Sequence, residues 1–72
     1  MEMEETRIAR VSEVICASSV GFEDAIKVGF ERAKSSLRGM TGLRVLDQTV
    51  SVKDGEIQEY RVRMEVIFLL DE

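Results

Sequence analysis

The stretch YRVRMEVIFLL, residues 60–70, decides how this chain folds. Tyr60, Val62, Met64, Val66, Phe68 and Leu70 alternate onto one face, the period of a strand with one side turned to a core. The other face begins charged, with Arg61, Arg63 and Glu65, and turns apolar at Ile67 and Leu69. A strand end that is apolar on both faces must be covered on both. This is the longest and most apolar strand in the sequence, so it is expected in the middle of its sheet.

Just upstream, Lys53-Asp54-Gly55-Glu56 is a hairpin signal, because Asp-Gly accepts the positive φ angles of a two-residue turn. The strand leading into it, Leu43 to Val52, changes phase. Leu43 and Val45 share one face, whereas Leu46, Gln48, Val50 and Val52 occupy the other, which predicts a bulge or a two-sided environment. Before that strand the period becomes helical. From Gly21 onward, Phe22, Ala25, Ile26, Gly29, Phe30, Ala33, Leu37 and Met40 fall in one stripe about 140° wide, with Gly39 or Gly42 as terminator. Glu23, Asp24, Lys27, Glu31, Lys34 and Arg38 take the other side, with Glu23–Lys27 as an i,i+4 pair. Gly29, near the centre of the apolar stripe, is read as a point of close helix–sheet packing. Val28 alone is apolar on the charged side and is a candidate subunit contact. The first strand, Thr6 to Ala17, alternates imperfectly, so the facing of its side chains stays open.

These pieces make an α+β chain of βαββ type. The strand–helix–strand unit makes the first two strands parallel, and the hairpin sets the third antiparallel to both. The expectation is one three-stranded antiparallel sheet of order 1-3-2 curled over one helix. Residues 1–72 form a single domain, with 1–5 as a flexible acidic tail.

A chain of 72 residues buries only roughly 60% of its unfolded surface and needs further support. With one cysteine and no histidine, it has no internal disulfide and no structural zinc set. Association with copies of itself remains. One helix covers one face of the central strand, so a second subunit must cover Ile67 and Leu69. The net charge of −4 argues against a nucleic-acid partner. No apolar run approaches the ~18 residues of a membrane span, and the acidic start lacks a secretory signal, so no membrane role and a cytoplasmic location are expected. Catalytic candidates are thin: Cys16 reads as core filler, Ser18 and Ser19 as helix-capping residues.

The whole arrangement resembles the dodecin family over roughly residues 9 to 71. The matching stretches are Arg10-Val11, SSVGFEDAI at 18–26, RAKSSLR at 32–38, Val45, the Asp54-Gly55 turn, Tyr60-Arg61-Val62, and Glu65-Val66-Ile67-Phe68. The resemblance implies a hollow dodecamer of cubic symmetry that stores a small molecule without transforming it. Many members bind flavin, FMN or riboflavin, between subunits, using a tryptophan after the helix and a glutamine in the third strand. Those positions fall at Gly42 and Arg61 here, and the chain contains no tryptophan. It therefore resembles the subgroup that lacks the stacking tryptophan, and flavin binding is expected to be weak or absent. Calcium has been associated with some such members, but no cluster of carboxylates at metal spacing is legible, so the metal site is unknown. The alternatives are a ligand-free structural oligomer and a calcium-associated dodecin. Were Arg61 and Arg63 to line a pocket they would attract anions; the competing reading is ion pairs with Glu65, Glu13 or a neighbour's acids.

Overall fold

The computed structural model of the chain describes residues 7–70. The expected tail at 1–5 lies outside the described residues. Four elements follow in order: β1 (Ala9–Ser18), α1 (Phe22–Ser36), β2 (Met40–Lys53) and β3 (Glu56–Leu69). The sheet is antiparallel throughout its pairings, with the order β1-β3-β2. The βαββ topology and the 1-3-2 order expected from the sequence are therefore the ones observed.

Alternation on β3 organises the core. Val62, Met64, Val66 and Phe68 all point at the helix and are buried. Against them α1 sets small residues, Ala25, Gly29 and Ala33, which bring the helix close to the sheet. Val62 and Met64 pack with Ala25, Phe22 and Ile26, whereas Val66 and Phe68 pack with Ala33, Leu37 and Met40. Gly29 explains the close approach: a methyl group there would collide with the Cys16 Sγ and come within 2.8 Å of the Met64 Cε. Register settles the facing of β1. Val14 and Cys16 sit opposite Met64 and Val62 and face the helix; Val11 and Ile15 sit opposite Ile67 and Arg63 on the other side.

Three expectations are corrected. The helix stops at Ser36 instead of running on to Met40, and Leu37 already has extended backbone. The hydroxyls of Ser35 and Ser36 donate to the Arg32 carbonyl, at 2.9 and 3.3 Å, and compete with helical bonding there. Strand β2 starts at Met40, three residues before Leu43, because Gly39 adopts φ 72° and its carbonyl accepts the Leu69 N–H at 3.0 Å. Leu37 and Met40 still reach the core, but from non-helical backbone. Among the described residues the helix carries Glu31–Lys34 at 3.8 Å instead of a Glu23–Lys27 pair.

The phase change in β2 is a bulge. The register slips between Val45 and Asp47, so Leu46 is the extra residue, and further irregularities fall at Met40/Gly42 and Ser51/Val52. Asp54 and Gly55 have φ 53° and 77°, the two positive values the hairpin turn requires.

Candidate functional site

Paired residues of an antiparallel sheet share a face, so the surface turned away from the helix is legible row by row. At one end lies an apolar row of Val11, Ile67 and Gly42, with Ala9 and Leu69 beside it. Next come Glu13, Glu65 and Arg44, then Ile15, Arg63 and Asp47, and then Ala17, Arg61 and Thr49.

The middle of this face is an ion-pair lattice. Arg63 reaches both ways from the central strand: its Nη1 donates to Glu13 at 2.8 Å on β1, and its Nη2 to Asp47 at 2.9 Å on β2. Those hydrogen bonds, Glu13 first and Asp47 next, raise its pKa above an already high ordinary value. Arg44 pairs with Glu65 at 3.3 Å, and the Arg61 Nε donates to Glu59 at 2.9 Å. Arg63–Glu13 was legible among the alternatives; Asp47 was not, because only the bulge at Leu46 turns it onto this face.

Gly42 and Arg61 share the face but not a neighbourhood. Gly42 stands opposite Ile67, six positions along β3 from Arg61, or about 20 Å at strand rise. A methyl group at Gly42 would touch only the Ile67 Cδ1, at 3.7 Å, so the position is open and its backbone does not require glycine. Ile67 and Leu69 are each half-buried, covered in part by neighbours across the strands. They lie beside Gly42 at the apolar end. Val28 is exposed on the outer side of the helix, so the sheet separates it from them.

A family model of the dodecins matches residues 8–71, nearly the whole chain. The chain belongs to the dodecin family. Among solved structures it is similar to a dodecin from Streptomyces davaonensis, at 31% identity and TM-score 0.86, covering 94% of this chain and 100% of that one. The dodecin from Streptomyces coelicolor is 26% identical with TM-score 0.88, over 96% and 99% of the two chains. A third relative is a calcium-chelating antigen of Mycobacterium tuberculosis described as a calcium dodecin with a novel calcium-binding site. It is 29% identical over 89% of this chain and 91% of that chain, with TM-score 0.77. Comparison with curated proteins returns no match.

In this dodecin the aromatic rings are all committed elsewhere. Phe22 and Tyr60 meet edge to face, centroids 5.2 Å apart at 81°, on the helix side of the sheet. Phe68 is buried there too, and Phe30, on the helix, carries the Lys34 ammonium 5.5 Å from its centroid. None of the four rings stands on the face of Gly42 and Arg61. Among the described residues no group of three or more histidine, cysteine or acidic side chains is placed to hold a metal. The acids of the outer face instead bind arginines. Cys16 faces the helix half-buried, and burial raises its thiol pKa. The Ser18 hydroxyl donates to Asp24 at 2.6 Å and accepts the Val20 N–H at 2.9 Å, which fixes the turn into the helix. No described helix is long and apolar enough to cross a membrane.

Proposed function

We propose that this dodecin works as a closed homo-oligomeric shell, of twelve chains by family resemblance, in the cytoplasm. It holds a small ligand without transforming it, and flavin is not that ligand at submicromolar affinity. The observation that carries this reading is the open Gly42 position, with no aromatic ring on its face of the sheet. Arg61 adds to it: its guanidinium donates only, is engaged by Glu59, and cannot supply the two-way hydrogen bonding of an amide. Losing a stacking plate costs ~1–3 kcal/mol and losing a buried polar partner a similar amount, so affinity falls by roughly two to four decades. The self-association rests on the apolar row of Val11, Ile67 and Leu69, exposed or half-buried in the single chain. The roughly 20 Å between Gly42 and Arg61 adds that one pocket using both positions needs more than one subunit. Against an enzyme stand the lack of histidine and a cysteine turned to the core.

The test is quenching of riboflavin and FMN fluorescence on titration with protein. No saturable quenching is expected below micromolar protein; tight quenching would sink the reading. The reverse experiment is Gly42→Trp with Arg61→Gln, which is expected to gain flavin binding. Failure of that variant with assembly intact would mean the two positions do not form the pocket. Calcium is the second reading, favoured by similarity to the calcium dodecin, and calorimetric titration with calcium chloride distinguishes it from a ligand-free shell.

A further inference from the structure

The two edges of the sheet differ, and the difference selects one for pairing. β2 departs from regular register at three places, so its free edge is kinked in the way that discourages strand addition. β1 pairs with β3 in unbroken register over all ten of its residues, ARVSEVICAS, with no proline and no lysine. The Leu70 N–H donates to the Ile8 carbonyl at 3.0 Å, so even-numbered residues of β1 bond inward to β3. The N–H and C=O groups of Val11, Glu13, Ile15 and Ala17 therefore point to the free edge. Apolar surface flanks that edge on both faces of the sheet. Away from the helix, Val11 and Ile15 are 52% and 70% exposed. On the helix side, an open groove of about 430 Å³ runs between β1 and α1, floored by Val14, Cys16, Ala33 and Leu37. A strand laid along β1 would satisfy the backbone groups and cover both apolar flanks together.

We propose that the occupant is β1 of a second copy, paired antiparallel across a two-fold axis near Val14. An isologous pair joins the regular edge to itself and leaves both bulged β2 edges outside. Centring on Val14 sets Glu13 opposite Ile15 of the second copy and joins the two grooves across the axis. Centring on Glu13 would oppose two like charges. The inference rests on the homo-oligomeric reading above and names one contact within it.

Four variants test it in the full chain. Ile15→Pro removes a free-edge donor while leaving the inward bonds of β1 in place, a position where proline is tolerated. Gln48→Pro does the same on the β2 edge, since β3 residues that bond to β1 leave their β2 partners bonding outward. Native mass spectrometry is expected to show Ile15→Pro reduced to smaller species and Gln48→Pro assembled as the parent. In a Cys16→Ser background, Val14→Cys is expected to form an intermolecular disulfide under mild oxidation, and Lys27→Cys, exposed on the helix, is not. An assembled Ile15→Pro protein, or an assembled Val14→Cys variant without the crosslink, overturns the contact. If Ile15→Pro loses its folded circular dichroism spectrum, the crosslink decides. A monomeric parent chain overturns the assembly reading itself, a separate result.

Discussion

The two halves of the β2–β3 hairpin make opposite use of the same kind of residue. Where the helix lies over the sheet, Val62, Met64 and Val66 are completely buried. Beyond Tyr60, where Phe22 marks the start of the helix, Val50, Val52 and Ile57 stand exposed on an arm of the same two strands. The cause is length. A 15-residue helix spans about 22 Å, whereas 14-residue strands span about 46 Å. The molecule is elongated, with extents of 62, 21 and 15 Å. An apolar strand therefore marks a surface to be covered, and whether the chain covers it itself depends on the reach of its one helix.

The sharpest way to probe the covered half is Met64→Ala. It empties the centre of the core and is expected to cost about 2–5 kcal/mol in urea unfolding. A loss below 1 kcal/mol would mean that the helix does not hold this half shut. The uncovered surface is probed by Ile67→Glu, which is expected to leave the circular dichroism spectrum in place while abolishing assembly by native mass spectrometry. An intact oligomer carrying Glu there would remove the apolar row from the interface. A smaller effect is expected at the close approach of helix and sheet. Gly29→Ala gains ~1 kcal/mol of helix propensity but meets Cys16 and Met64, an overpacking cost of ~1–3 kcal/mol. A net loss of about 1 kcal/mol, largely recovered by adding Cys16→Ala, is the expected thermal-denaturation result. Without that coupling, the contact is not what excludes a side chain at 29.

Smallest is the pH effect of Cys16, whose thiol pKa is raised by burial. A group with a raised folded pKa contributes stability below its unfolded pKa and loses it as pH rises through the folded value. Stability is thus expected to decline slightly on the alkaline side, and Cys16→Ala to flatten that decline. Iodoacetamide at pH 8 is expected to label the folded protein more slowly than the urea-unfolded chain, since the thiolate is the reactive form. Equal rates would place the thiol in water.

Much of the fold is legible because each element states its period locally. The stripe from Phe22 to Ala33, the Asp54-Gly55 turn and the alternation of Tyr60 to Leu70 each follow from neighbouring residues, and topology rules then leave the order 1-3-2. Helix length is less legible. Leu37 and Met40 continue the helical stripe in sequence, yet they reach the same core from extended backbone once Gly39 turns the chain and bonds to Leu69. The candidate site was legible only in part. Gly42 and Arg61 can be picked out by family position, but their separation on β3 depends on register. Asp47 joins Arg63 only because one bulged residue shifts which side chain faces outward.

Sequence alone determined that this chain makes one βαββ unit with a central third strand, no stacking tryptophan, and more apolar strand than one helix can cover. Those properties live in composition and in periods of two and 3.6 residues, which are local. Tertiary structure decided which arginine meets which acid, that Gly29 lies against Cys16, and that β1 keeps a regular edge while β2 does not. Those depend on pairing between residues up to about 50 positions apart, where one bulge shifts the side chains that share a face.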